Sequence, residues 1–486
     1  MNSCEVRRPP SPGLGWFGLR GQLACREYFT AGLILVPLKY LTEALVIRSL
    51  TGRSFSPLDF INPWLSSREH FAADAPVWLG MAWILWSLPF LWLAITLSIR
   101  RALDAGLSPW LGLLVVVPIV NLALILVLAL VPTSSATQTK TRDRYLDPFE
   151  SPRTMEATEE ESVGQSAIAS AVVGLLAGAI YLVTFVVFSV YVINSYGTAL
   201  FFGTPIITGS VAAYVLNRRR PRSLAKTLGH SALTLSVACI SFLLFGLEGI
   251  LCIVMAIPLM VPLGLFGALI GRSIAVSLQR SENSEQGGLI GCLALLPVIA
   301  WGETIWQREP TYEVVSRTEI AAPIEDVWEQ VVHFSEITDQ PAWYFRLGIA
   351  YPTRARIEGA GVGALRYCEF STGTFVEPIT AWEQPTRLAF DVSAQPEPMF
   401  ELTPYRHIHP PHLTGSFRST RGEFRLTEIS ANRTLIEGST WYQLKIRPAE
   451  YWTVWTDWIL HRIHYRVLDH IKRSCETAVA NGRFKV

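Results

Sequence analysis

The chain has 486 residues, of which 50% are hydrophobic and 17% are charged, and its formal net charge is +1. This charged fraction is below the roughly 25% usual for soluble domains, and the near-neutral balance gives no basic field for nucleic acid. The seven cysteines are scattered without a C-x-x-C spacing, which argues against a disulfide framework or a zinc finger. The first residues lack the apolar core of a signal peptide, so we expect internal segments to insert into the membrane.

Long stretches with few or no charges fill the first 305 residues. A helix that crosses the hydrocarbon layer, about 30 Å thick, needs roughly 20 apolar residues. Nothing after residue 310 meets this requirement. We predict about seven to eight membrane segments, at residues 28–47, 75–99, 106–132, 162–217 (two helices), 227–247, 249–271 and 286–302.

Basic residues near the segment ends predict the orientation, because cytoplasmic loops are rich in Lys and Arg. The basic block Asn217–Lys226 and the arginines before residue 28 are expected inside, which places the C-terminal domain outside the cytoplasm. Residues 106–132 contain Pro118 and Asn121, and they either cross once or form a re-entrant hairpin. Only the hairpin keeps the basic block inside, and we favour it.

Three charged residues within the apolar region need an explanation, because intramembrane charges are costly and often functional. Lys39 and Glu43 lie four residues apart on one helix face, and we expect them to pair with each other. Glu248 lies between two apolar segments, next to Gly249. An interfacial turn is therefore favoured over a proton relay at Glu248.

Two motifs precede the first and the last apolar segments of the first membrane region: LRGQLACREYF at residues 19–29 and RRALDAGLSPW at residues 100–110. They resemble the G-R-x-x-R-x-x-Y/F-W-like and R-R-x-x-D-x-G-x-S-x-W stretches of a bacterial inner-membrane family, the domain of unknown function numbered 805. The second motif fits better than the first. The resemblance covers roughly residues 18–150 and implies a bacterial inner-membrane protein, but it implies no activity.

Charged residues return at ordinary density after residue 311. An alternating run at 312–320 predicts a strand, and a short helix begins near Pro323. From Ala449 to about Ala478, apolar residues recur every three or four positions, which predicts a long terminal helix. Further strands, separated by turn residues, are predicted at 354–358, 362–371, 374–382, 387–393, 416–429 and 433–446.

Three phrases, in this order, resemble the START/polyketide-cyclase superfamily (SRPBCC): IAAPIEDVW at 320–328, GAGVGALRY at 359–367 and WEQPTRLAF at 382–390. The resemblance covers residues 312–479 and implies an α+β helix-grip fold. In this fold a curved antiparallel sheet surrounds a long C-terminal helix. The cavity between them commonly binds lipids, polyketides or other apolar molecules, and the superfamily has no universal catalytic residue.

The polar, acidic stretch between the two membrane regions is typical of a solvated linker. The expected organisation is an N-terminal tail (1–17), a first transmembrane domain (18–132), a polar linker (133–165), a second transmembrane domain (166–304), a START-like ligand-binding domain (311–480) and a tail (481–486).

Aromatic and polar side chains of the C-terminal domain are the candidate cavity lining, since ligand cavities are mostly apolar with a few polar groups. Packing in an ordinary core is the alternative for each aromatic residue. Glu437 and Trp441 share one strand face at a spacing of four. The predicted ligand-binding residues are Phe370, Phe390, Phe424, Glu437, Trp441, Trp455, Trp458, His407, His409 and His412.

Six of the nine histidines fall between His407 and His470. The prolines of RHIHPPHL, residues 406–413, favour an extended backbone there. His461 and His464 share a helix face, and a zinc site would need the RHIHPPHL stretch to fold over them. We favour a flap at the cavity mouth and predict no metal, no other cofactor and no catalytic residue.

The favoured function is a multi-pass protein of the bacterial inner membrane that presents a domain for a hydrophobic small molecule or lipid. Its expected partners are that ligand and the lipid bilayer, with no nucleic acid, and protein partners stay open. Two alternatives remain. One is a tethered cyclase- or hydrolase-like enzyme that uses His407, His409 or His412 with Glu437. The other is a transporter with an accessory sensor domain.

Overall fold

A computed structural model of the protein describes residues 23–61, 71, 78–116, 120–133, 160–278, 287–305, 309–405 and 408–480. The predicted tails, linker residues 134–159 and His407 lie outside these ranges. The chain forms two compact units. The first unit comprises residues 1–178, 209–231 and 265–295, and the second unit comprises residues 179–208, 232–264 and 296–486.

Apolar helices dominate the chain up to residue 305. They are α1 (Cys25–Thr51), α2 (Pro57–Ile61), α3 (Trp78–Asp104), α4 (Val120–Leu130), α5 (Glu160–Val187), α6 (Thr204–Asn217), α7 (Leu224–Leu244), α8 (Ile250–Leu278) and α9 (Gly287–Ile305). Short π-helical turns at Phe188–Val192 and Ala199–Gly203 connect α5 to α6.

Five helical segments in the described part of the chain are long and apolar enough to cross a membrane. They are Cys25–Thr51, Ile168–Val192, Ala199–Asn217, Leu224–Leu244 and Ile250–Val276. The prediction of a multi-pass helical region is thereby confirmed. The sequence predicts seven to eight segments, and the described residues contain five candidate spans.

The first span shows how the sequence suits a lipid environment. Leu33, Leu41 and Leu45 on α1 are more than half exposed, which water would penalise and lipid would not. Lys39 and Glu43 form an ion pair with each other, as expected, and Lys39 also lies 5.4 Å from the ring centre of Phe60.

The motif at residues 100–110 builds a buried turn in the first unit. Arg101 is completely buried, and its guanidinium pairs with Asp104 at 2.6 Å. The same guanidinium donates hydrogen bonds to the carbonyls of Leu128 and Val131. Trp110 is 1% exposed. These contacts satisfy the charge of Arg101, which would otherwise be expensive to bury.

The same turn brings together the two ends of residues 106–132. Thr133 donates a hydrogen bond of 2.7 Å to Asp104, so the chain returns to the point from which it left. Between them lie a 3₁₀ helix, Pro109–Val116, and α4. The described ends of this segment therefore lie close together. Its path relative to the membrane, a single crossing or a re-entrant hairpin, stays a prediction.

The second unit contains a seven-stranded antiparallel sheet with the strand order β1-β7-β6-β5-β4-β3-β2. Its strands are β1 (Thr311–Ile320), β2 (Pro352–Glu358), β3 (Leu365–Phe370), β4 (Gly373–Glu383), β5 (Arg387–Asp391), β6 (Phe417–Ser430) and β7 (Arg433–Leu444). Register shifts in β4 and β6 bend the sheet, because a bulge increases local twist.

Two helices complete this part of the second unit: α10 (Ile324–Val332) and α11 (Ala449–Ala480). The helix α11 contacts β1, β2, β7 and α10. Leu468, Ile471 and Cys475 are buried at the spacing of one helix face. A curved antiparallel sheet that holds a long C-terminal helix is the helix-grip fold, so the predicted fold class is confirmed.

The interior of the helix-grip part has two hydrophobic clusters. One lies along the C-terminal half of α11 and includes Trp328, Ile379 and Leu468. The other lies along its N-terminal half and includes Tyr442, Trp452 and Leu460, together with Met255 from α8. The second cluster therefore joins the helix-grip part to an apolar helix within the second unit.

Candidate functional site

A cavity of about 240 Å³ lies within the second unit. Three walls enclose it: the concave face of the sheet, the N-terminal half of α11, and the ends of α5, α7 and α8 with their connecting turns. Most of its lining is aliphatic, aromatic or methionine side chain, which is the usual character of a small-molecule site.

The sheet wall carries Phe370, Phe375 and Phe390, with Glu377 among them. Gly422 of β6 allows this wall to form, because a Cβ at that position would lie 2.4 Å from the Phe390 ring. The glycine therefore lets an aromatic ring lie directly on the strand.

Glu377 forms a buried ion pair with Arg366, its cross-strand neighbour on β3. Both residues are 5% exposed. The Arg366 guanidinium also lies 4.6 Å from the Phe390 ring centre, a cation–π arrangement. Burial raises the pKa of Glu377 although the charge of Arg366 acts to lower it. The pair supplies a buried charged group on a sheet wall that also carries Ser419, Arg421 and Thr440.

The helix wall comes from one face of α11. Trp452, Trp455, Ile459 and Ile463 follow each other at spacings of three or four, which places their side chains in one row. Trp452 meets Phe201 edge to face, with ring centres 4.9 Å apart. The helix wall therefore touches residues that belong to the membrane region of the sequence.

The third wall consists of residues at the ends of apolar helices. Val186, Val190, Met255 and Met260 line the cavity there. The hydroxyl of Tyr451 donates a hydrogen bond to the carbonyl of Met255. Methionine side chains adapt to ligands of different shape, because their unbranched chains rotate easily.

Four chemically reactive side chains meet at the border of the cavity: Glu248, Cys252, Glu401 and His412. One donor atom from each lies within 4.8 Å of the others. Cys252 Sγ is 2.6 Å from Glu401 Oε1 and 3.0 Å from His412 Nε2. His412 Nδ1 is 3.4 Å from Glu248 Oε2. We call this set the Cys–His–Glu cluster.

The backbone holds the Cys–His–Glu cluster in place from two sides. The amide of Ile250 donates to the carbonyl of Leu402 at 3.0 Å, which joins the start of α8 to the loop that carries Glu401. Gly249 permits this approach, since a Cβ there would lie 1.6 Å from Glu401 Oε2. His412 sits in a 3₁₀ turn, Pro411–Leu413, with its ring edge-on to Tyr196 at 5.5 Å.

Electrostatics in the cluster favour a protonated imidazole. Burial lowers the pKa of His412, but the neighbouring Cys252 and Glu248 outweigh it and raise the pKa well above its ordinary value. The Glu401 side chain is fully buried, and its Oε2 has no hydrogen-bond partner among the described residues. A buried carboxylate oxygen without a partner is costly, so this position calls for an explanation.

The N-terminal and C-terminal parts of the chain are similar to different known proteins. Residues 16–140 match the family described as "Protein of unknown function (DUF805)". The resemblance expected for the first third is thereby confirmed, and the buried turn at Arg101 lies inside the DUF805 match. No protein of curated function matches the chain.

Several solved structures are similar to the C-terminal part. A norcoclaurine synthase point mutant from Thalictrum flavum is 12% identical and covers 36% of this chain and 99% of its own, with a TM-score of 0.24. An aromatase/cyclase from a Streptomyces species is 15% identical, covers 35% and 96%, and has a TM-score of 0.23. The protein XoxI from Bacillus cereus is 13% identical, covers 34% and 94%, and has a TM-score of 0.23. No ligand or reaction transfers to this chain from likenesses at this level.

Four of the predicted ligand-binding residues line the cavity: Phe370, Phe390, Trp455 and His412. Phe424 packs beside Phe390 against the neighbouring hydrophobic cluster, with ring centres 6.2 Å apart. His407 lies outside the described residues. Contact of any of these residues with a ligand stays a prediction.

The other predicted residues lie away from the cavity wall. Glu437 and Trp441 do share a strand face, but Glu437 pairs with Arg317, and Trp441 stacks with Arg421 at 4.6 Å. Trp458 is 37% exposed on the outer side of α11. The side chain of His409 is 59% exposed and lies 2.8 Å from Glu397. Neither described loop histidine pairs with Glu437: His409 contacts Glu397, and His412 contacts Glu248 and Cys252. A pairing of His407 with Glu437 stays a prediction.

The histidines of α11 have neutral partners. Ser316 bonds to His461 Nδ1 at 2.7 Å and to His464 Nδ1 at 3.0 Å, and Thr440 bonds to His464 Nε2 at 2.8 Å. Burial, reinforced by His461, lowers the pKa of His464 to about 4. His464 is therefore a neutral link between α11 and the sheet.

Sequence reasoning missed Cys252 and Glu401 and treated Glu248 only as part of a turn. Cys252 looked like one more cysteine in an apolar run, and Glu401 had no motif around it. The only available signal was the pair Glu248 and Cys252, four residues apart where an apolar helix begins.

Proposed function

We propose that this membrane protein uses its helix-grip domain to bind one apolar molecule, of lipid or polyketide-like character, in the cavity. The observation that carries the proposal is the composition of the cavity wall. Strand residues such as Phe370, helix residues such as Trp455 and membrane-region residues such as Met255 line a single space. A ligand held there touches both the domain and the helix ends.

The chemistry of the lining supports an apolar ligand with a small polar part. A mostly apolar wall removes hydrocarbon from water, which is favourable by about 25 cal/mol per Å² of buried apolar surface. Two buried polar groups lie in or beside this lining: Glu377 on the sheet, paired with Arg366, and the Cys–His–Glu cluster at the border. Other polar side chains of the lining are Tyr196, Glu397, Ser419, Arg421, Thr440 and Thr456. A head group or ring oxygen of the ligand is expected at one of the two buried groups.

Supply from the bilayer is the advantage of this arrangement. Val186 and Val190 line the cavity and also belong to the span Ile168–Val192, and Met255 and Met260 belong to the span Ile250–Val276. Apolar molecules dissolve in the bilayer, so their concentration beside these helix ends far exceeds that in water. The proposed path of the ligand therefore begins in the lipid.

We further propose that the membrane is the bacterial inner membrane and that the domain lies outside the cytoplasm. The basic block at residues 218–222 precedes α7, and basic loops are retained in the cytoplasm. At the other end of α7, Tyr405 donates a hydrogen bond to the carbonyl of Leu244. We therefore propose that the domain lies on the side of the membrane that the C-terminal end of α7 reaches.

The full-length protein tests the ligand proposal. It is purified in mild detergent, and co-purifying apolar molecules are identified and counted by mass spectrometry. Ile459→Trp fills the helix wall of the cavity, whereas Val454→Trp places the same side chain on an exposed position of the same helix. We expect about one apolar molecule per chain in the wild type and in V454W, and a several-fold loss in I459W.

Equal amounts of apolar molecules in I459W and V454W, or none in the wild type, would overturn the proposal. Detergent in the cavity is recognised by repeating the purification in a detergent of different chain length. A molecule that changes with the detergent counts against a natural ligand.

A further inference from the structure

We propose that the Cys–His–Glu cluster binds a divalent transition-metal ion, with Zn²⁺ as the best fit, through Cys252 Sγ, His412 Nε2 and Glu401 Oε1. In this assignment Glu248 is not a ligand but orients the imidazole through His412 Nδ1. The proposal goes beyond ligand binding by the cavity, and its test does not depend on any apolar ligand.

The donor atoms fit the ion. Thiolate, imidazole and carboxylate are the three ligand types that Zn²⁺ uses in proteins, at bond lengths of about 2.0–2.3 Å. Ligands of a tetrahedral ion at those bond lengths are separated by roughly 3.3–3.6 Å. The three atoms here are separated by 2.6, 3.0 and 3.6 Å, so a small shift of the thiol opens room for the ion.

Burial and missing hydrogen bonds supply independent support. The side chains of Glu401 and His412 are 0% and 9% exposed. Glu401 Oε2 has no hydrogen-bond partner within the described ranges of the chain, and the 3.4 Å contact of Glu248 Oε2 with His412 Nδ1 does not have hydrogen-bond geometry. Buried carboxylates next to a thiol are unfavourable unless a cation compensates them. A metal ion gives them that compensation, and the Cys252 thiol releases its proton to solvent as the ion binds.

Glu248 has the position of a supporting residue. Its Oε2 lies 3.4 Å from His412 Nδ1, on the side of the ring away from Cys252. Metal-bound histidines usually donate their second N–H to such a carboxylate, which fixes the ring and strengthens binding. Three protein ligands then leave one coordination position for water or an oxygen of a ligand. Cys252 and His412 both line the cavity.

Cobalt spectroscopy on the full-length protein tests the site. The protein is stripped with a chelator in detergent and titrated with Co²⁺, whose thiolate complexes absorb in the near ultraviolet. We expect about one Co²⁺ per chain with a thiolate band, displaced by Zn²⁺. Cys252→Ser removes the band. Cys239→Ser, which replaces another cavity cysteine outside the cluster, keeps it.

Glu248→Gln shows whether Glu248 is a metal ligand or only positions His412. We expect the thiolate band to persist, with metal affinity reduced by about 10- to 100-fold. Full loss of the band in E248Q, or unchanged affinity, would overturn the role assigned to Glu248. A wild type that binds no Co²⁺, or a C252S protein with an unchanged spectrum, would overturn the metal site. If C252S does not fold, His412→Gln takes its place and must abolish stoichiometric binding.

Discussion

Removing one partner of the Arg366–Glu377 pair should destabilise the helix-grip part strongly. In Arg366→Met the long side chain still packs against Phe390, but Glu377 becomes a buried carboxylate without its counter-charge. Their side chains are 6% and 7% exposed, so water does not replace the lost partner. Breaking a buried ion pair costs about 3–5 kcal/mol. At roughly 2–4 °C per kcal/mol for a domain of this size, the melting temperature should fall by about 6–20 °C.

The assay is thermal unfolding of the full-length protein in detergent, followed by tryptophan fluorescence. The matched control is Arg354→Met, which breaks the neighbouring Arg354–Glu369 pair at 2.7 Å on the exposed side of the strands. Because that arginine is 53% exposed, its loss should cost below about 1 kcal/mol. The double variant R366M/E377L should recover most of the stability, since an apolar pair of similar volume is tolerated there. If R366M behaves like R354M, or the double variant is as unstable as R366M, the reasoning is refuted.

Three further predictions follow from other parts of the molecule. His464 has a folded-state pKa of about 4 and an ordinary pKa of 6.5, so the unfolded chain takes up the proton first as the pH falls. The folded state should therefore lose about 2 kcal/mol of stability between pH 7.5 and pH 5. His464→Gln should reduce this loss in melting curves, and an unchanged pH dependence would contradict the assignment. Arg101→Ala should lower stability by about 3 kcal/mol, because it removes the side chain that fills the buried turn at residues 100–110. Arg48→Ala, on the exposed surface of α1, should change stability little. Alkaline phosphatase fused after residue 486 should be active if the domain lies outside the cytoplasm, and a cytoplasmic reporter active at the same position would reverse that orientation.

Local patterns predicted the elements well. The alternation at residues 312–320 became β1, Thr311–Ile320, and the apolar repeat from Ala449 became α11. These patterns are reliable because burial on one face of an element imposes its period on the sequence. The DUF805 match and the helix-grip order of elements were likewise readable from short phrases such as RRALDAGLSPW and IAAPIEDVW.

Side-chain partners were harder to predict than elements. Glu437 and Trp441 were correctly placed on one strand face, but alternation does not say which of the two faces looks into a cavity. In the structure Glu437 pairs with Arg317, His409 contacts Glu397, and His412 contacts Glu248. Charge parity favours the re-entrant path of residues 106–132, and this path stays a prediction. The contact between Asp104 and Thr133 shows only that the two ends of the segment lie close together.

The sequence by itself determined that apolar helices precede a helix-grip domain, because hydrophobic period and segment length are properties of neighbouring residues. Only the tertiary structure decided where the site is. Glu248 and Cys252 stand about 150 residues before Glu401 and His412, and no local pattern connects them. Their meeting depends on how the start of α8 packs against the loop after β5. The prolines of RHIHPPHL predict a flap at the cavity mouth, whereas the tertiary structure brings its last histidine, His412, into the Cys–His–Glu cluster.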